Sequence, residues 1–230
     1  MKDFTEFEKA TGFTFKNKTL LKQAFTHRSY INENPGAKLE HNERLEFLGD
    51  AVMELVVTDF LYRKYPEKPE GELTSFRAAL VNTQSISKAA QSINANDFLL
   101  LSKGEAKDEG KARQYILANT FEAIIGAIYI DQGYKQAAQF IETILLPYLN
   151  EVVANRLWQD NKSYFQERAQ EATGITPNYE VMKESGPDHD KEFTVGLFLG
   201  SKQIASGSGR SKQEAEQEAA KNGLSEKGWE

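Results

Sequence analysis

His41-Asn42-Glu43-Arg44-Leu45-Glu46-Phe47-Leu48-Gly49-Asp50 is the stretch from which the rest of the chain is best read. Each residue of an α-helix turns about 100°, so Glu43, Glu46 and Asp50 fall within an arc of about 60°. Leu45, Leu48, Val52 and Leu55 fall on the other side and are expected to face a core. Phe47 lies beside the acids, away from that apolar stripe. A large ring on a polar face suits contact with another protein.

Leu117-Ala118-Asn119-Thr120-Phe121-Glu122 offers a second helical face. Asn119 and Glu122 point the same way, and Gly126 shares their side, where its missing side chain permits close approach. Leu117, Phe121, Ile124 and Ile128 point elsewhere. Glu70, just before Gly71 and expected in a loop, is a further acid. Carboxylates that converge repel: at about 4 Å and an effective dielectric near 20, each pair costs about 4 kcal/mol. A hard divalent cation relieves this, and Mg²⁺ prefers oxygen ligands. It would also supply a hydroxide and stabilise a leaving oxygen in phosphate-ester cleavage. Acids striping a helix also occur as a plain solvated face, because charge usually lies at the surface. The residues alone leave both explanations open.

Outward from these stretches, the helical period dominates from Phe4 to about Val153. Turn signals break it at Asn34-Pro35-Gly36, Tyr65 to Gly71 and Asp131-Gln132-Gly133. This part is expected to be all-helical. After about Trp158 the pattern changes. Ser163 to Glu171 suits a short helix, and Tyr179–Met182, Phe193–Leu199 and Gln203–Ser206 read as short strands. Ser211 and Glu214 stand at capping-box spacing before a last Ala-rich helix. The expected organisation is an all-helical domain over 1–156 and a small α-β-β-β-α domain over 157–230. Gln159-Asp160-Asn161-Lys162 is the expected linker.

The 230 residues are 40 % apolar and 27 % charged, enough for a sizeable core. No run of about eighteen apolar residues suggests a membrane span. The polar, acidic start is unlike a secretory signal. Cysteine is absent, which excludes disulfides, thiolate metal sites and a cysteine nucleophile, and fits a reducing cytoplasm. Net charge is -6. Residues 1–156 carry 19 Lys/Arg against 21 Asp/Glu, and 157–230 carry 9 against 13. Any grip on nucleic acid therefore comes from local patches or from cations that offset carboxylates.

The stretch from His41 to Asp50 resembles the ribonuclease III signature almost residue for residue. Thr26-His27-Arg28-Ser29, Arg77-Ala78-Ala79-Leu80-Val81 and Phe121-Glu122-Ala123-Ile124-Ile125-Gly126 support the match. The second part resembles a double-stranded-RNA-binding domain through Gly186-Pro187-Asp188-His189 and Ser211-Lys212-Gln213-Glu214-Ala215-Glu216-Gln217. The resemblance implies a homodimeric endoribonuclease of the cytoplasm. It would cut both strands of double-stranded RNA with Mg²⁺, Mn²⁺ being able to substitute. The products would be 5′-phosphates, 3′-hydroxyls and short 3′ overhangs, and the substrates ribosomal and other structured precursors. It implies metal ligands at Glu46, Asp50, Asn119 and Glu122, with Asp50 and Glu122 catalytic. Glu43 and Glu70 match auxiliary acids, and Phe47 matches a residue that plugs a pocket in the partner subunit.

Asn119 departs from the family, which often has Asp there. Asn keeps a carbonyl oxygen but loses a charge. It is either a natural variant with intact activity, the preferred reading, or an inactivation leaving a double-stranded-RNA-binding regulator. In the second domain, Gln166 and Gln170 match positions that reach the minor groove of duplex RNA, and His189 matches the other minor-groove contact. Ser211 and Lys212 open a helix whose N-terminus favours phosphate, and Arg210 adds charge beside it. Gln213 stands where the family often has a second basic residue. His27 and His41 are expected to be structural or close to RNA. Arg28, Arg44 and Arg77 either pair with acids or meet phosphates, with pairing preferred for Arg44. Lys103 and Lys107 are expected in solvent, within a segment less Gly-rich than the family's.

Overall fold

The computed structural model describes residues 2–156, 158–187 and 191–229. Two compact units divide the chain, Met1–Trp158 and Gln159–Glu230.

Unit one is helical: α1 (Phe4–Thr11), α2 (Lys18–Ala24), α3 (Arg28–Glu33), α4 (Glu43–Lys64), α5 (Glu70–Leu80), α6 (Thr83–Ser92), α7 (Lys111–Gln132), α8 (Tyr134–Ile144) and α9 (Leu149–Ala154), with short 3-10 turns between some of them. Side chains start several of these helices. The carboxylate of Asp3, the amide oxygens of Asn17 and Asn82 and the ring nitrogen of His27 each accept a backbone N–H of the following first turn. Fully buried Phe7, Phe25, Phe76, Phe121 and Phe140 anchor the core. Trp158 packs edge-on against Phe76 at 4.9 Å between ring centroids.

Helices α4 and α7 form the centre. α7 buries nearly all of its circumference after the first turn. The crossing is closed by two glycines. A Cβ on Gly49 would overlap the carbonyl oxygen of Glu122, and one on Gly126 would overlap that of Leu45. The expected close approach at Gly126 is therefore present, and Gly49 supplies the other half of it. This contact turns α4 so that Leu45, Gly49, Val52, Met53 and Val56 face inward. Leu55, expected in the core, stands about 60° from that row's edge at Val52 and is 58 % exposed. Glu70 was expected in a loop; it is the first residue of α5, which follows Pro69. Pro removes no hydrogen bond at a helix start, so the Pro-Glu-Gly turn signal and the helix are compatible.

Unit two contains α10 (Asn161–Thr173), β1 (Pro177–Ser185), β2 (Glu192–Leu199), β3 (Lys202–Gly209) and α11 (Lys212–Lys227). The antiparallel sheet has order β1-β2-β3, with Val195 opposite both Val181 and Gly207. Phe165, Ala169, Leu197, Ala219, Ala220 and Leu224 form its core. Gly207 lets β3 lie against α11, since a Cβ there would overlap the backbone of Ala219. Half of the expected linker, Asn161 and Lys162, belongs to α10. Asp160 caps it by accepting from Ser163 N at 2.7 Å, and Gln217 ties it to α11 through Asn161 N at 2.9 Å. The capping box is altered. Ser211 Oγ accepts from Glu214 N at 3.1 Å, but the Glu214 carboxylate reaches back to Arg210 N at 2.9 Å.

Candidate active site

The start of α4 is fixed before its acids are placed. Asn42 is buried, and its side chain donates to the carbonyl of Ala24 at 3.1 Å, while its own N–H donates to Thr26 at 2.9 Å. On the other side, His27 N bonds Leu100 and Leu100 N bonds Phe25. The Phe25–His27 strap is thus clamped between Asn42 and Leu100. Asn42 was not singled out in the sequence, where an Asn before a helix reads as an ordinary cap; its side chain is spent on Ala24 instead.

From that anchor, Glu43 opens α4 within 3.8 Å of Arg28 and 3.7 Å of His41. One turn on, Glu46 faces the crossing with α7, and Asp50 follows after another turn. Glu122 projects from the turn of α7 that touches Gly49. Burial raises the Glu46 carboxyl above its usual range, and the charges of Glu43 and Asp50 add to the effect. Glu122 is pushed up to about 8, first by burial and then by Asp50 and Glu46. These shifts tie the three acids into one electrostatic cluster. Among the described residues, none of the side chains of Glu46, Asp50, Asn119 and Glu122 has an ion pair or hydrogen bond.

Uncompensated oxygen donors of this kind are the chemistry a hard cation requires. As the side chains stand, no group of three His, Asp or Glu among the described residues is closed to metal-holding distance. In its chemistry, three carboxylates and an amide oxygen, the donor set suits such an ion.

Glu70 is not part of this cluster. Its carboxylate accepts from Thr74 Oγ1 at 3.0 Å, and it borders a cavity of about 390 Å³ lined by Thr58, Tyr62, Leu73 and Arg77, beside the C-terminal half of α4. Phe47 is 82 % exposed. Arg77 pairs with Glu54 at 3.0 Å. Arg44, expected to pair with the acids, is exposed and has no ion pair among the described residues. Neighbours along a helix do not face each other, and its i+3 and i+4 positions are Phe47 and Leu48. Burial lowers the His27 imidazole below its ordinary range, and its ring nitrogen caps α3. Lys103 and Lys107 are exposed.

In unit two, Gln166 and Gln170 are exposed on α10, with Gln170 donating to Thr176 Oγ1 at 2.6 Å. Lys212 lies 5.8 Å over the Phe193 ring. Ser211 is spent as the cap of α11. His189 lies outside the described residues.

A partly buried acid cluster on two crossed helices, followed by an α-β-β-β-α unit, is the outline of a nuclease with a nucleic-acid-binding appendage. Residues 17–149 match the family described as Ribonuclease-III-like, and residues 162–227 match the double-stranded RNA binding motif. A Ribonuclease 3 of Desulforamulus reducens is 47 % identical over 92 % of this chain and 86 % of its own. One of Carboxydothermus hydrogenoformans is 46 % identical over 94 % and 92 %. The solved nuclease domain of Campylobacter jejuni ribonuclease III is 41 % identical, covers 63 % of this chain and 97 % of its own, and superposes with a TM-score of 0.58. The chain belongs to the ribonuclease III family and is an endoribonuclease acting on double-stranded RNA.

Proposed function

We propose that this enzyme is a Mg²⁺-dependent hydrolase that cuts both strands of duplex RNA as a homodimer, leaving 5′-phosphate and 3′-hydroxyl ends. The observation that carries the metal reading is a cluster of Glu46, Asp50 and Glu122 with no cation or hydrogen-bond donor to balance it among the described residues. These three, with the amide oxygen of Asn119, would hold the ion. When bound, Mg²⁺ supplies the activated hydroxide and the stabilisation of the leaving oxygen, with Mn²⁺ able to substitute. The protein's part is to hold the carboxylates together at the glycine crossing. Glu43, kept near Arg28 and His41, borders the entrance as an auxiliary acid.

Dimerisation gives Phe47 and Glu70 a joint explanation. Phe47 is a solvent-facing ring between Glu46 and Asp50, and the apolar face of α4 continues through exposed Leu55 and Tyr62. The cavity beside Tyr62 and Leu73 is bordered by Glu70. If the partner's Phe47 fills it, Glu70 comes alongside the partner's acids, and one cluster lies on each strand by twofold symmetry. The Campylobacter structure is described as flexible in a region involved in dimer formation, in keeping with a contact surface.

In unit two, Gln166, Gln170 and His189 would reach the minor groove, and Arg210, Ser211 and Lys212 would meet phosphate. Among the described residues no helix is long and apolar enough to cross a membrane. We place the enzyme in the cytoplasm, acting on ribosomal and other structured precursors. Asn119 supports a second reading, a weakened enzyme that binds and regulates RNA. Incubation of duplex RNA with the protein and Mg²⁺, with Asp50→Asn alongside, separates the two. Cleavage that needs both Mg²⁺ and Asp50 supports the hydrolase, and binding without cleavage supports the regulator.

A further inference from the structure

Between Tyr115 and Ile128 only three side chains of α7 reach the surface: Tyr115, Asn119 and Glu122. Their spacing of four and three places them within about 60° of one another on the helix. Tyr115 stands about 6 Å along the axis from Asn119 and about 10 Å from Glu122. Tyr115 is 58 % exposed. Among the described residues it has no hydrogen bond, ring contact or cation partner. Neither core packing nor a helix cap accounts for it. It occupies the same open window of α7 as two of the proposed metal ligands, so a strand that reaches Glu122 from that side passes Tyr115.

The residue type suits that place. A Lys or Arg here would pair with the carboxylates and neutralise them. A phenol is uncharged and leaves them free. It is amphipathic, with an apolar ring and a hydroxyl that both donates and accepts. A ribose presents the same combination, C–H surface with a 2′-hydroxyl, and the shallow minor groove of duplex RNA displays those hydroxyls.

We propose that Tyr115 is a substrate-positioning residue that packs against a ribose near the scissile linkage and hydrogen-bonds its 2′-hydroxyl. The assignment rests on the reading of Glu46, Asp50 and Glu122 as the reaction centre, and the test separates the two. A series of duplexes, each with one 2′-deoxy nucleotide at a successive position flanking the cut, is compared between wild type and Tyr115→Phe. Single-turnover cleavage and equilibrium binding are both read. At one position the deoxy substitution costs the wild type roughly three- to tenfold, the worth of one hydrogen bond, while Tyr115→Phe loses that factor on all-ribose RNA and nothing more on the deoxy duplex. Mg²⁺ affinity, by calorimetry, and the unfolding midpoint stay at wild-type values. Equal deoxy sensitivity of both proteins at every position overturns the proposal, as does an altered Mg²⁺ affinity. Failure of the underlying reading shows separately, as Asp50→Asn that still cleaves.

Discussion

The α4–α7 crossing and the front of α11 treat charge in opposite ways. At the crossing, Glu46, Asp50 and Glu122 have no ion-pair partner among the described residues, and Glu46 and Glu122 are driven above their usual range. In unit two several charges are paired within the unit: Lys162 holds Glu216 at 2.5 Å, Arg168 holds Glu171 at 2.9 Å, and the Glu214 carboxylate accepts from the backbone N–H of Arg210. Balanced surface pairs of that kind contribute little to stability and little field. A concentrated, unbalanced set costs folding free energy and is retained where a ligand completes it. The α4–α7 crossing therefore concentrates unbalanced charge, whereas the second unit pairs part of its charge within itself.

The sharpest break of this contrast is the loss of one unpaired acid. Asp50→Asn is expected to lower Mg²⁺-dependent cleavage on the order of a thousandfold while leaving duplex binding within a few-fold, measured by single-turnover kinetics and by filter or gel binding. Gly126→Ala comes next. It wedges the crossing apart, and overpacking of this kind costs about 1–3 kcal/mol, so thermal unfolding and cleavage fall together. Loss of stability without loss of cleavage would mean that the crossing does not position the acids.

A subtler effect concerns pH in metal-free protein. Glu122 titrates at about 8 in the folded state against an ordinary 4.5, so the fold keeps a proton that the unfolded chain releases. Stability is then lost as pH rises through that window. Glu122→Gln removes the dependence. Its unfolding midpoint in EDTA is expected to exceed that of wild type by a few degrees at about pH 9, with the gain vanishing near about pH 5. The smallest effect is expected in unit two. Lys212→Ala should weaken duplex binding a few-fold and reduce the slope of log affinity against log salt by just under one unit, because one phosphate contact is gone. An unchanged slope would leave Lys212 to its packing on Phe193.

Much of this was legible in the sequence where period and chemistry coincide. The acid spacing of Glu43, Glu46 and Asp50, the amide and carboxylate of Asn119 and Glu122, and the change from helical to alternating period after Trp158 are local signals. What was hidden depends on a partner element. Leu55 fits the apolar stripe but is exposed, because Gly49 meets α7 and sets the rotation of α4. Gly49 carries a signal in hindsight, since a glycine within a helix costs stability and marks a close approach. Arg44 could not be assigned from proximity in sequence, because adjacent helix residues diverge. Tyr115 escaped notice because its window exists only once the rest of α7 is buried.

Diffraction from crystals equilibrated with Mn²⁺, recorded for its anomalous signal, tests the central claim most directly. The account predicts a peak at the α4–α7 crossing, with carboxylate oxygens of residues 46, 50 and 122 drawn in to about 2.0–2.2 Å and the Asn119 carbonyl beside them. Saturating Mn²⁺ with no peak between those side chains, in crystals of a preparation that cleaves duplex RNA, would contradict it.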